Sequence, residues 1–93
     1  MFAYDFKPRG VCARAIHISL SDDGSTIESV AFDGGCNGNL KAVSRLVAGQ
    51  PAEKIAALLA GNTCGRRATS CADQLAAALR QGQEQAAAAA MEA

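Results

Sequence analysis

Residues 11–35 read VCARAIHISLSDDGSTIESVAFDGG, and the fold turns on this stretch. From Val11 to Leu20 polar and apolar positions alternate, with Ile16, Ile18 and Leu20 on one face and Ala15, His17 and Ser19 on the other. A period of two marks a strand with one buried side. Ser21 to Ser25, with Asp23-Gly24 inside it, is a turn signal. Thr26 to Asp33 returns as a second strand, with Val30 and Phe32 on one face. Upstream, Phe2, Tyr4 and Phe6 alternate with Ala3 and Asp5, which predicts a short first strand that Pro8-Arg9-Gly10 ends.

After Gly34-Gly35 the period changes to that of a helix. Leu40, Val43, Leu46 and Val47 fall on one helical face, with Asn39 as N-cap and Gly49 as stop. Gln50-Pro51 opens a second helix whose buried side is Ile55, Leu58 and Leu59, ended by Gly61. Ser70 caps a third helix, and Asp73 three residues on makes an acidic variant of the capping box. Leu75, Ala76 and Leu79 carry its apolar face. The expected fold is therefore α+β, a small three-stranded, mostly antiparallel sheet followed by three helices in the order β-β-β-α-α-α. One domain over residues 1–81 is expected, then an alanine-rich tail over 82–93, helical or frayed.

The composition narrows function. Three Phe, one Tyr and no Trp leave a modest core, much of it alanine, and small cores often carry a metal or covalent staple. Nine cationic and nine anionic residues cancel, which argues against a nucleic-acid grip built on phosphate neutralisation. No apolar run approaches the ~20 residues of a membrane span. Residues 1–9 lack the pattern of a secretory signal, so a cytoplasmic setting with reduced thiols is expected.

Four cysteines then become the candidate site: Cys12, Cys36, Cys64 and Cys71, separated by 23, 27 and 6 residues. No C-x-x-C knuckle is present, so placement in the expected fold matters more than spacing. Cys12 falls at the start of the second strand, Cys36 ahead of the first helix, Cys64 in a loop and Cys71 in the first turn of the third helix. All four stand at element ends. Cys36 and Cys71 lie near helix N-termini, where partial positive charge favours thiolate, and Arg66 and Arg67 add charge beside Cys64 and Cys71. Thiolates so gathered point to Zn²⁺ or an iron–sulfur cluster.

The run Thr69-Ser70-Cys71-Ala72-Asp73 resembles the signature of the TSCPD domain family, with Ala72 where the eponymous proline stands. Tyr4-Asp5-Phe6-Lys7-Pro8-Arg9-Gly10-Val11-Cys12 and Gly34-Gly35-Cys36-Asn37-Gly38-Asn39 resemble its small, free-standing four-cysteine members. Related domains end adenosylcobalamin-dependent ribonucleotide reductases, so this resemblance implies an accessory role near that enzyme. A more distant resemblance is to U-type iron–sulfur cluster scaffolds, whose three cysteines match Cys12, Cys36 and Cys71 and whose Gly-Cys-Gly region matches Gly35-Cys36-Asn37-Gly38. Here Arg14 replaces the scaffold's aspartate and Ser70 its histidine, and Cys64-Gly65-Arg66-Arg67 occupies the chaperone-docking loop. A fourth thiolate in place of an exchangeable ligand implies a closed, stable site.

A binding module is thus the leading expectation, with ribonucleotide reductase or iron–sulfur machinery as protein partners and a homodimer compatible with the size. Thiol–disulfide exchange between Cys64 and Cys71, as a redox protein or reductant shuttle, is the alternative. A pocket for an anionic ligand greeted by Arg14, Arg66 and Arg67 is a third, without a glycine-rich phosphate cradle behind it. His17, Asp22 and Asp23 read as a solvated sheet residue and turn formers rather than ligands.

Overall fold

The computed structural model describes residues 1–11, 13–34, 37–62 and 69–92, with the backbone alone for residues 37 and 90–92. Three strands, β1 (Phe2–Phe6), β2 (Ala13–Leu20) and β3 (Ile27–Gly34), form one antiparallel sheet in the order β1-β2-β3. Three helices follow: α1 (Asn37–Val47), α2 (Ala52–Leu59) and α3 (Cys71–Glu92). The α+β order expected from periodicity is the order observed.

Register explains which side of the sheet is buried. Phe6, Ile16 and Phe32 form one cross-strand row, Tyr4, Ile18 and Val30 the next, and Phe2, Leu20 and Ile27 the third. Because neighbouring residues point to opposite faces, these rows share one side. Ile16, Ile18, Leu20 and Ile27 are fully buried there against Leu75 and Leu79 of α3. Burying each such side chain is worth about 1.5–3 kcal/mol. A register irregularity between Ser19 and Leu20 gives β3 one extra residue, which is how Ile27 and Val30 both reach the core side.

The hairpin turn is built by Asp23. Its Oδ1 accepts from the Ser25 amide at 2.9 Å and from the Ser21 and Ser25 hydroxyls at 2.7 Å each. Those donors hold its pKa down, at about 2, the Ser21 hydroxyl having the largest effect. Asp22 pairs instead with the Met1 ammonium. Asp23 therefore does the work of a turn, as expected.

Four local expectations are corrected. α1 begins at Asn37, so Asn39 lies inside its first turn and does not cap it. Leu46 is 75% exposed and Leu58 67% exposed. Leu40, Val43 and Val47 carry the inward side of α1 without Leu46, and α2 buries Ala52 and Ala56 in place of Leu58. Thr26 is not in β3; it forms an isolated antiparallel bridge with Pro51, flanked by Ile27 N–H to Gln50 O at 2.9 Å and Ala52 N–H to Ser25 O at 2.8 Å. Gly49 makes this return possible at φ +82°, a left-handed conformation that suits glycine.

α3 lies lengthwise on the sheet. From Cys71 to Ala86 it covers about 22 Å at ~1.5 Å per residue, and the eight residues of β2 cover about 23 Å at ~3.3 Å each. Its contact stripe, Leu75, Leu79, Gly82 and Ala86, is mostly small after the two leucines. Gly24 of the hairpin turn meets this stripe at its far end, where an added Cβ would stand 3.1 Å from the Ala86 Cβ. The helix is unbroken through Glu92, with Gly82 and Ala86 buried.

Gly82 marks the closest approach. A Cβ there would fall 2.2 Å from the Tyr4 ring and hydroxyl. The Tyr4 hydroxyl is buried with no hydrogen-bond partner among the described residues, and burial pushes its pKa up to about 12. The neighbouring Gly82 amide offsets only part of this, since its N–H is committed to the helix ladder. Gly82→Ala in a helix interior ordinarily gains about 1 kcal/mol. Here it should instead cost about 1–3 kcal/mol by overpacking, read as a lower urea midpoint. The loss should vanish in a Tyr4→Ala background. Tyr4→Phe should be neutral or stabilising, and should remove the loss of stability expected in wild type as pH rises through about 12.

Candidate functional site

Of the four cysteines, Cys71 lies among the described residues, and Cys12, Cys36 and Cys64 lie outside them, as do Arg66 and Arg67. Cys71 is a half-buried free thiol in the first turn of α3. The N-terminal end of a helix leaves amides without intrahelical partners and carries partial positive charge, which favours a thiolate there.

The start of α3 is held by a compact set of hydrogen bonds. Ser70 caps it, its Oγ accepting from the Asp73 N–H at 3.0 Å. The same hydroxyl donates to the Asn62 carbonyl oxygen. Asp73 does not complete the expected capping box by reaching back to the Ser70 amide. Its Oδ1 accepts from the Gly61 N–H at 2.7 Å and its Oδ2 from the Thr69 hydroxyl. These donors, the Thr69 hydroxyl first, lower its pKa. Asp73 thus ties the end of α2 to the start of α3, between which Cys64 lies in the chain.

The segment before Cys12 reaches the same place. The Arg9 N–H donates to Gln74 Oε1 at 3.1 Å, and Gln74 Nε2 donates to Thr69 Oγ1 at 3.0 Å. Gly10, at φ +70°, lies so near that an added Cβ would be 3.5 Å from Thr69 Cγ2. On the other side of Cys12, Ala13 pairs with Gly34, the last residue of β3 and two positions before Cys36. Arg9 and Gly10 therefore meet Gln74 and Thr69, Gly61 and Asn62 meet Asp73 and Ser70, and Ala13 pairs with Gly34. Every cysteine is at most two residues along the chain from one of these tied positions.

Among the described residues no three histidine, cysteine or carboxylate side chains form a group in metal-binding range. The other candidates have structural partners. His17 Nδ1 lies 2.6 Å from Asp5 Oδ1 across the β1–β2 pair, half exposed on the face away from the helices. Arg14 donates to Asp33 Oδ1 at 3.3 Å on the surface, so it is not aimed into an anion pocket with a second described arginine. No helix among the described residues is long and apolar enough to cross a membrane.

Sequence reasoning named the cysteines but missed Gln74 and the double reach of Asp73. The signal for Asp73 was present, since an acid three residues after a capping serine accepts hydrogen bonds. Its partner could not be read, because Gly61 approaches only through the packing of α2 against α3. The surface pair Arg80–Glu53, at 4.0 Å, supplements that packing weakly.

The family model for the TSCPD domain matches residues 3–83 of the chain. No curated protein and no solved structure gives a significant match.

Asp73→Asn should weaken the fold near about pH 6 by no more than roughly 1 kcal/mol, since these bonds are solvent-accessible. The sign with pH follows from the lowered pKa. The ionised form contributes fully above the unfolded value of about 3.9 and loses its contribution as pH falls through the folded value. Urea titrations of wild type and Asp73→Asn should therefore differ near neutrality and converge in strong acid.

Proposed function

The chain belongs to the TSCPD domain family, and we propose that it is a metal-binding module in which Cys12, Cys36, Cys64 and Cys71 hold one Zn²⁺ ion or one iron–sulfur cluster. The observation that supports this reading is that described residues flanking Cys12 and Cys64 in the chain are tied to the start of α3, which carries Cys71. Gln74, Thr69, Ser70 and Asp73 hold Arg9, ahead of β2, and Gly61 and Asn62, after α2, at the start of α3. A small protein gains little by spending so many hydrogen bonds on an exposed corner unless something is assembled there.

Four thiolates suit the proposed group. Zn²⁺ takes four sulfurs tetrahedrally in closed structural sites, and clusters are commonly held by four cysteines. Cys12 just before β2, Cys36 between β3 and α1, Cys64 between α2 and α3, and Cys71 in α3 would hold such a centre and be cross-linked by it. A structural zinc can supply on the order of 10–16 kcal/mol of apparent binding free energy, large beside the stability of an ordinary small domain. The protein's own part is to present the sulfurs and, at Cys71, to favour the thiolate through the helix start. With four protein ligands no position is left for exchange, which favours retention of the group over its delivery. An accessory role beside ribonucleotide reductase or iron–sulfur machinery follows from the family resemblance and belongs to the same proposal.

Thiol–disulfide exchange is supported by one of the same contacts. The Ser70–Asn62 hydrogen bond joins described residues on either side of Cys64 in the chain, at the start of the helix that carries Cys71. In that reading both thiols are oxidised to a disulfide while a partner's disulfide accepts two electrons and two protons.

Elemental analysis and absorption spectroscopy on protein purified without oxygen separate the two. About one zinc per chain without visible absorption, or iron and sulfide with a broad band, is the expected result. Any single Cys→Ser change at the four positions should then lower occupancy. Metal-free protein that is fully folded, with four titratable thiols, would falsify the metal reading and leave redox exchange.

A further inference from the structure

β3 is an edge strand, and the chain itself shows that this edge accepts a partner. At its beginning the α1–α2 connection runs antiparallel beside it, with Gly49 N–H to Ile27 O at 2.7 Å and Ile27 N–H to Gln50 O at 2.9 Å. Beyond residue 27 the pairing stops. Among the described residues β3 has β2 on one side and no strand on the other. Edge strands left bare invite pairing by another extended chain.

The open part of the edge is not flat surface but one wall of a groove. Val30, Phe32 and Leu40 supply its apolar lining, and Lys41, Ser44 and Arg45 of α1 its other wall. Lys41 and Arg45 are one helical turn apart, both exposed, and neither forms an ion pair among the described residues. α1 carries these two cations and no acid at all. We propose that this groove docks an extended, acidic segment of a partner protein, which adds to β3 as a fourth strand.

The chemistry selects that occupant. The main-chain groups of an extended segment would continue the hydrogen bonding that Gly49 and Gln50 begin. Its apolar side chains meet Val30, Phe32 and Leu40, and its carboxylates meet Lys41 and Arg45. A second copy paired edge to edge would use the same patch on both molecules, bringing Lys41 and Arg45 towards their own like charges. Gly34 lines the groove two residues before Cys36, so a docked segment would lie next to the cysteine-bearing end. The proposal does not depend on a metal there.

Fluorescence anisotropy on the full chain tests it, using a labelled peptide of about six residues, a common strand length, that alternates glutamate and valine. Glutamine–valine and lysine–valine peptides are the controls. The acidic peptide should bind about tenfold more tightly than the glutamine control and weaken with salt. Lys41→Glu combined with Arg45→Glu, both at exposed positions, should reverse the preference towards the lysine peptide. Amide shifts in NMR spectra should run along residues 29–34 of β3 as well as α1. Equal binding of all three peptides, or an acidic preference that survives the double substitution, would overturn the proposal. So would shifts confined to α1, or self-association by sedimentation that the acidic peptide does not compete.

Discussion

Gly82 of α3 sits against the ring of Tyr4, and that contact sets how deeply the long helix rides on the sheet. A side chain at residue 82 would lift α3, and the lift would be felt along its whole length because a helix moves as a rod. Leu75 and Leu79 would lose depth among Ile16, Ile18 and Leu20, and Ala86 would leave the hairpin turn at Gly24. At the other end, Cys71 and its neighbours would shift against Arg9 and Gly10. One residue without a side chain therefore fixes both the thickness of the core and the place where Arg9 and Gly10 meet the start of α3. The isolated Tyr4 hydroxyl is the cost of that fit.

Much of this was legible in the chain and some was not, for separable reasons. The β2–β3 alternation predicted the sheet because Ile16, Ile18 and Leu20 face a core built of apolar side chains. The turn followed from Asp23-Gly24, and the α3 cap from Ser70, since both rest on contacts within a few residues. Leu46 and Leu58 misled because helical periodicity gives a face without saying how much of it will be covered. α1 and α2 are short, and each buries only the centre of its apolar side. Gly82 opened a tail expected to be helical or frayed, and nothing local showed that the structure needs a glycine at that place for Tyr4, seventy-eight residues away in the chain. The cysteines were visible as residues, but the ties among their flanking segments depend on Gln74 and Asp73, whose partners come from distant elements.

The corner at the start of α3 is unusual in its balance of forces. The core holds α3 through apolar burial, yet the last connections to residues 9–10 and 61–62 are hydrogen bonds near solvent. Bonds of that kind contribute about 0.5–1.5 kcal/mol each, enough to bias a geometry and too little to clamp it. A metal centre would convert the biased arrangement into a fixed one. The open β3 edge lies next to this corner, so docking of a partner and filling of the site would act on adjoining parts of one small molecule.

The central claim is that four sulfurs from four separate segments converge on one centre. X-ray absorption at the edge of the bound metal, on protein loaded without oxygen, counts those sulfurs directly. The account predicts sulfur-only protein ligation, with four sulfurs at about 2.3 Å for zinc, falling to three on substitution of Cys71 by serine. A shell dominated by nitrogen or oxygen, or a sulfur count that Cys71→Ser leaves unchanged, would contradict it.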